Sequence, residues 1–164
     1  MLTFLINRVN VSVATCLLAG GLASAFAADS PPTIAGYWKS IDDVTGQADA
    51  EVKIVEAKEQ YVGVIVRDLV TAATDKPMIC DKCNDDRKGK PVVGMEIIRY
   101  ARYNPAADAW EGGQILDPDE GKIYRLKLKL LEGGKKLQVR GYYGQIYRTQ
   151  IWEKLPYASA EANY

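Results

Sequence analysis

The 164-residue sequence contains no histidine and carries no net charge, with 21 Lys and Arg residues against 21 Asp and Glu residues. The absence of histidine excludes Ser–His and Cys–His nucleophile pairs and every metal site that uses an imidazole ligand. The neutral balance argues against nucleic-acid binding, because non-specific binding needs a basic surface that displaces counterions from the phosphate backbone. The sequence therefore excludes several large classes of function before any motif is considered.

Length and composition indicate one globular domain with a targeting segment in front of it. Apolar residues make up 48% of the chain and charged residues 26%, which is typical of a folded protein and not of a disordered or fibrous one. No segment shows a convincing helical period longer than about two turns. The expected domain is therefore built from strands.

The first 27 residues have the pattern of an export signal. Arg8 is their single charged residue, an apolar stretch follows it, and residues 25–27 read A-F-A. A basic start, a short apolar centre and a small-residue exit are typical of a secretory signal peptide. The alternative is a retained membrane anchor, because the uncharged stretch is about long enough to span a bilayer. We predict a signal peptide over residues 1–27 and a linker over residues 28–33.

Strand patterns fill most of the remaining sequence. In residues 122–131, Leu126 and Leu128 share one face with Tyr124, while basic residues occupy the alternate positions. This is the period of a half-buried strand. Similar patterns, separated by Gly, Pro and Asp turns, predict eight strands over residues 34–40, 50–56, 60–69, 92–103, 109–116, 122–131, 136–142 and 145–155.

Consecutive strands with short connections are expected to pair with their neighbours in antiparallel fashion. Eight such strands lose their exposed edges most economically by closing into a barrel. We therefore predict an all-β, eight-stranded antiparallel up-and-down barrel over residues 34–155, with a two-sheet sandwich as the alternative. Residues 70–91 are expected to form one long irregular loop. Residues 156–164 show no apolar period and are expected to form a flexible tail.

Two cysteines remain once the signal, with Cys16, is removed: Cys80 and Cys83, in the long loop. An even cysteine count in an exported protein indicates a disulfide. A redox role would need a stabilised thiolate, which the surrounding acidic residues oppose. A zinc site would need about four ligands, and the sequence offers no second cysteine pair. We predict a structural Cys80–Cys83 disulfide and no metal.

Two further groups of residues have alternative interpretations. Gly36 and Trp38 open the first strand, where the indole could plug one barrel end with Arg140 or Arg148 stacked on it; the alternative is an ordinary core tryptophan and surface arginines. Arg140 and Tyr142 share a strand face that could grip a carboxylate inside the barrel. The simpler register points Arg140 outward.

Acidic clusters at residues 42–43, 85–86 and 117–120 lack the ligand spacing of a calcium loop and are interpreted as solvated turns.

Several spaced motifs of this sequence resemble the bacterial exported family called domain of unknown function 2147. They span about residues 34–154 and include Gly36 and Trp38 near the start and Arg148 and Trp152 near the end, to which we assign structural roles. The motifs are residues 36–38, 42–46, 80–83, 90–91, 94–95, 110–118, 121–124, 137–142 and 148–152. The resemblance implies a lipocalin-like (calycin-like) small barrel, which agrees with the strand count, and carries no assigned activity.

From these observations we expect a periplasmic or secreted barrel that binds a small apolar or amphipathic molecule, since a barrel of eight strands can hold one small ligand. The alternative is a barrel filled by its own side chains that acts as a protein-interaction module of the envelope. No catalytic constellation is visible, so we do not expect an enzyme, and no cofactor is implied. The expected ligand-binding residues are Trp110, Tyr124, Leu126, Leu128, Arg140 and Tyr142.

Overall fold

The computed structural model describes residues 32–70 and 78–156. These residues form eight strands and a short 3-10 turn, Glu132–Gly134, after the sixth strand. The strands are β1 Gly36–Ile41, β2 Ala48–Ala57, β3 Gln60–Asp68, β4 Glu96–Asn104, β5 Ala109–Asp117, β6 Lys122–Leu131, β7 Lys136–Tyr143 and β8 Ile146–Leu155. The predicted signal peptide, most of the predicted linker and nearly all of the predicted tail lie outside the described residues.

The eight strands form a closed barrel in which each strand pairs with the next one along the chain. All of these pairs are antiparallel, and β1 closes the sheet by pairing with β8, where Trp38 lies opposite Lys154. Closure satisfies the backbone donors and acceptors that an open sheet would leave at its two edges. The predicted up-and-down barrel is confirmed, and the two-sheet sandwich is not the fold.

The fourth strand begins at Glu96, later than the predicted start at residue 92. Residues 92–95 form a turn in which the Gly94 N–H donates to the Ile65 carbonyl at 2.8 Å and the Ile65 N–H donates to the Met95 carbonyl at 3.0 Å. Val92 and Met95 are buried although they lie outside the strand. Their apolar side chains give residues 92–95 the sequence pattern of a strand, although the backbone forms a turn. The predicted strand therefore begins too early.

Aromatic side chains fill one end of the barrel interior, here called the packed end and defined by Ile34, Trp38, Tyr61, Trp110 and Leu128. The Trp38 side chain is fully buried, and its indole N–H donates to the Ile34 carbonyl at 2.9 Å. Tyr61 meets the Trp110 ring edge-on, with the two centroids 5.8 Å apart. The barrel is therefore closed at this end by its own side chains.

Lys154, and not an arginine, lies over the Trp38 ring. Its ammonium group is 4.4 Å from the ring centroid and donates to the Ala35 carbonyl at 2.9 Å. Of the two interpretations of Trp38, stacking by Arg140 or Arg148 is wrong, because the register of β1 with β8 places Lys154 directly opposite Trp38. Gly36 has a φ of +134°, a backbone conformation that residues with a Cβ atom rarely adopt.

The loop between β3 and β4 carries the predicted disulfide, which is confirmed. Cys80 and Cys83 are bonded, with their Cα atoms 5.4 Å apart, and both are fully buried. Arg87, only 2% exposed, donates to the Asp85 carboxylate at 2.5 Å and to the Glu96 carbonyl at 2.8 Å. The described part of this loop is thus anchored to β4.

The acidic pair at residues 85–86, which the sequence pattern assigns to a solvated turn, forms ion pairs in the structure. Asp86 is 2.8 Å from the Arg99 guanidinium of β4, and this contact lowers the pKa of Asp86 to about 2. Asp85 is bound by Arg87. Both carboxylates therefore help to fasten the loop to the barrel wall.

Candidate functional site

A cavity of about 360 Å³ lies at the barrel end opposite the packed end. Its mouth is formed where β1, β3, β5 and β7 end, and the described part of the β3–β4 loop contributes Met78 and Val92 to its lining. The apolar lining residues are Ala50, Val52, Ile65, Val70, Met78, Val92, Ile97, Ile115, Leu116, Pro118, Val139 and Trp152. The interior is therefore filled by side chains at one end and hollow at the other.

Trp152 marks the boundary between the two regions. Its side chain is 1% exposed and belongs to the packed core, yet it also lines the cavity. Its indole N–H donates to the Gln150 side-chain oxygen at 3.0 Å, so the polar edge of the ring is satisfied. Trp152 therefore supplies a rigid apolar floor beneath the cavity.

Carboxylates surround the mouth of this cavity. In an up-and-down barrel, the end of each odd-numbered strand and the start of the next strand lie at the same rim, and the sequence places aspartates at several of these points. The lining carboxylates are those of Asp42, Asp49, Asp68, Asp117 and Asp119. Five acidic residues from strand ends and turns are thus gathered around one concave site.

Two of these carboxylates lie in poorly solvated surroundings. Burial raises the pKa of Asp49, against a hydrogen bond from Ser40 that opposes the shift. The Oδ1 atom of Asp49 is buried and accepts no hydrogen bond from the described residues. Burial also raises the pKa of Asp119, and the nearby carboxylates of Asp117 and Asp68 raise it further. At both positions, desolvation and the neighbouring carboxylates therefore favour the neutral form of the carboxyl group.

Arg148 reaches the rim from β8 and ties that strand to the turn after β1. Its guanidinium lies 2.8 Å from the Asp42 carboxylate and 2.5 Å from the Asp43 carboxylate. Asp42 also accepts a hydrogen bond from the Thr45 N–H at 2.7 Å, and the hydrogen bonds from Thr45 are the main reason that the pKa of Asp42 is lowered. The positive charge of Arg148 is thus already engaged by two carboxylates.

The structure brings one of the expected apolar lining residues, Tyr124, to the cavity. Trp110, Leu126 and Leu128 are buried, but they belong to the filled part of the core and do not line the hollow end. The period of two places all four positions on the inner face of the barrel. It does not distinguish the filled end from the hollow end.

Arg140 and Tyr142 do not enter the cavity. Val139 and Gly141 line it from β7, and residues next to them along a strand point to the opposite face. On the outer face the Arg140 guanidinium donates to the Thr149 hydroxyl at 2.9 Å and lies 4.6 Å from the centre of the Tyr147 ring. The carboxylate clamp inside the barrel is therefore not formed.

The most informative residues that the sequence analysis missed are Asp49, Asp68 and Asp119. Asp49 and Asp68 lie near strand ends, where a polar residue gives no distinctive signal, and Asp119 belongs to an acidic cluster whose pattern is that of a solvated turn. A sequence signal did exist, because each of the three lies next to a connection on the same rim of a barrel with this topology. The sequence predicts that these three aspartates lie close together only if the eight strands are assumed to close into a barrel.

Over residues 32–70 and 78–156, no three His, Cys, Asp or Glu side chains are grouped so that they could hold a metal ion. In the same part of the chain, none of the helical segments has the length and apolar character that crossing a membrane requires.

Comparison with known sequences and structures gives two matches. The profile of the family described as "Uncharacterized protein conserved in bacteria (DUF2147)" matches residues 36–154, and no curated protein matches the chain. A similar solved structure is described as "Protein HP1028 from the human pathogen Helicobacter pylori belongs to the lipocalin family". It is 14% identical to this chain, with a TM-score of 0.64 over 77% of this chain and 86% of that one. The likeness shows a shared lipocalin-like fold.

Proposed function

The chain belongs to the bacterial family DUF2147, and on this premise we propose that it is an exported lipocalin-like barrel that binds one small apolar or amphipathic molecule in the cavity at its open end. The observation that carries the proposal is the hollow half of the interior. Its volume, about 360 Å³, lies in the range of roughly 300–1,000 Å³ that is usual for small-molecule sites.

The character of the lining supports the same proposal. The walls are formed mainly by aliphatic side chains from several strands, with the buried indole of Trp152 at the floor. Ligand sites in proteins combine such apolar walls with a few polar groups that orient the ligand. Here the polar groups are concentrated at the mouth, so an apolar body would lie inside and a polar end would face the rim.

Export is part of the proposal and is supported by the Cys80–Cys83 disulfide, since such bonds persist mainly in oxidising compartments. The family is described from bacteria, which makes the periplasm or the medium the proposed location. The mature protein is expected to begin at or near Ala28, because the A-x-A pattern ends at residue 27. Intact-mass analysis of the native envelope protein checks this, and a retained Met1 would favour a membrane anchor.

The cavity is tested by filling it from within. Val139→Trp adds a large side chain at a position that is buried and lines the cavity. We expect it to weaken binding of the neutral fluorescent probe N-phenyl-1-naphthylamine at least tenfold, while unfolding stays cooperative. Fluorescence titration and a urea transition on the same sample provide the two measurements.

The matched control is Val55→Trp, because Val55 is 38% exposed and lies outside the cavity. This variant is expected to bind the probe as the parent does. The proposal fails if the parent does not bind the probe, or if Val139→Trp binds it as well as Val55→Trp does.

A protein-interaction module remains the second candidate, and one observation favours it. The hairpin between β7 and β8 exposes Tyr143, Ile146 and Tyr147, which are 67%, 76% and 57% accessible. Clustered exposed apolar side chains mark many contact surfaces. If this hairpin carries the function, a partner crosslinked through position 143 in native envelopes should be lost when Ile146→Glu is added and kept when Val139→Trp is added.

A further inference from the structure

The hairpin between β7 and β8 ends in an apolar cluster, here called the hairpin tip and defined by Tyr143, Ile146 and Tyr147. All three side chains are exposed. Tyr143 pairs with Ile146 directly beside the turn, and Tyr147 pairs with Tyr142 one position further along the strands. Because water is a poor solvent for apolar groups, a cluster of them at the end of a turn indicates a contact surface.

Two arginines flank the hairpin tip. The Arg125 guanidinium, on β6, donates to the Gly144 carbonyl in the turn at 3.2 Å, and the Arg140 guanidinium lies 4.6 Å from the centre of the Tyr147 ring. The ion pairs within residues 32–70 and 78–156 all involve other cations. Both positive charges are therefore available to an anion outside the protein.

A groove of about 370 Å³ on the outer wall adjoins the hairpin tip. It is lined by Arg125, Lys127 and Tyr142, and the Tyr142 ring contacts that of Tyr147 with the two centroids 5.9 Å apart. The carboxylate in its lining, that of Glu111, is 2.6 Å from the Lys127 ammonium group. The groove therefore keeps the charge of Arg125 for an anionic group that enters it.

This combination fits a membrane surface better than a protein partner. A stable protein interface uses about 20–30 residues on each side, whereas this patch has three exposed apolar residues and two arginines. Binding to a membrane needs only a small apolar area that enters the head-group boundary, together with attraction to anionic lipids. Tyrosine is also enriched at membrane–water interfaces, where its ring and its hydroxyl meet different surroundings.

We propose that the hairpin tip and the groove dock this protein on a membrane surface that carries anionic phospholipids. Ile146 enters the boundary between head groups and acyl chains, and Arg125 and Arg140 bind lipid phosphates. Guanidinium groups suit this task because they form paired, charge-assisted hydrogen bonds with phosphate oxygens. The proposal goes beyond ligand binding and does not depend on it, because none of these three residues lines the cavity.

The carboxylates of the cavity mouth determine which side of the rim can meet such a surface. Asp49 lies on β2, Asp68 ends β3 and Asp119 lies in the turn after β5, so these parts of the rim repel an anionic surface. The hairpin between β7 and β8 lies on the same rim and carries the unpaired arginines. The protein therefore docks through the hairpin side, with the cavity mouth close to the membrane.

Vesicles of two compositions test the proposal: pure phosphatidylcholine, and equal parts of phosphatidylcholine and phosphatidylglycerol. Cosedimentation measures how much of the mature protein each kind of vesicle binds. We expect at least tenfold tighter binding to the vesicles that contain phosphatidylglycerol. Added salt should weaken this binding, because ions screen the attraction between exposed charges.

Ile146→Glu should abolish binding to the anionic vesicles, because it places a charge at the apolar end of the hairpin. Its matched control is Val55→Glu, which makes the same charge change at an exposed position of β2 and should bind nearly as the parent does. Both variants should bind N-phenyl-1-naphthylamine normally, which shows that the barrel is intact.

Arg125→Gln and Arg140→Gln should each weaken binding to the anionic vesicles about fivefold, the usual effect of one basic residue near such a surface. The matched control is Lys135→Gln. Lys135 is exposed in the connection between β6 and β7, at the packed end, so the loss of its charge should change binding less than twofold.

Several results would overturn the docking proposal. It is refuted if the parent binds neither kind of vesicle or binds both equally, or if Lys135→Gln is as weak as Arg140→Gln. Release of the protein from vesicles by soluble glycerol phosphate would identify a free phosphate ligand instead. A protein crosslinked through position 143, without any vesicle binding, would identify a protein partner. None of these results affects probe binding in the cavity, so the proposed function is judged separately.

Discussion

Trp38→Ala is expected to lower the free energy of unfolding by about 3–5 kcal/mol, the usual cost of truncating a buried tryptophan. The indole is completely buried at the packed end and lies on β1, the strand that closes the barrel against β8. The substitution removes the ring, its hydrogen bond to the Ile34 carbonyl and its contact with Lys154. Domains of this size are stable by only about 5–15 kcal/mol, so this loss is a large fraction of the total.

The measurement is a chemical denaturation curve for the parent and for three variants. Trp38→Phe retains an aromatic ring without the indole donor and should fall between the parent and Trp38→Ala. Ile146→Ala is the surface control, since Ile146 is 76% exposed, and its effect should stay within about 0.5 kcal/mol. A Trp38→Ala protein as stable as the Ile146→Ala protein would contradict the role of Trp38 in closing this end.

Gly121→Ala is expected to detach the disulfide loop from the cavity mouth and to destabilise the protein by about 2–5 kcal/mol. Gly121 has a φ of +66°, and a Cβ atom there would lie 2.1 Å from the Lys82 carbonyl oxygen and 2.7 Å from the Cys83 nitrogen. The left-handed conformation costs an alanine about 1–2 kcal/mol. Overpacking against a fixed neighbour adds about 1–3 kcal/mol, because the obstacle is backbone and cannot rotate away.

Gly46→Ala separates the two contributions. Gly46 has a φ of +70° and nothing within 4 Å of the added Cβ position, so this variant should show the backbone strain alone. The difference between the two urea midpoints then measures the contact with the loop. Probe binding should weaken in Gly121→Ala only, because Pro118 and Asp119 of the same turn line the cavity. Equal midpoints for the two variants would show that the loop does not pack against Gly121.

Local periodicity determined the strands of this protein. Alternation over residues 122–131 predicted β6 at its observed bounds, and Leu126 and Leu128 are buried as the inner-face pattern requires. Positive φ values at Lys58 and Glu59 form the tight turn that separates the predicted strands over residues 50–56 and 60–69. The strands can be predicted from the sequence because successive side chains of a strand point to opposite faces, and this alternation does not depend on the rest of the fold.

The sequence also determined closure and the disulfide, because both follow from general constraints. Eight strands joined mainly by short turns leave two unpaired edges unless β1 meets β8, as it does in the structure. Cys80 and Cys83 are the two cysteines that remain after the predicted signal. Their bond therefore needed no information about tertiary contacts.

The tertiary structure alone decided which part of the interior is hollow and what surrounds its mouth. Periodicity assigns Trp110 and Tyr124 to the same inner face, but it does not say that Trp110 is packed while Tyr124 faces the cavity. Asp49 and Asp119 are far apart in the sequence and meet only because the barrel closes and brings strand ends to one rim. Contacts of this kind depend on the register between strands and on the volumes of side chains that meet across the barrel, and a local pattern contains neither.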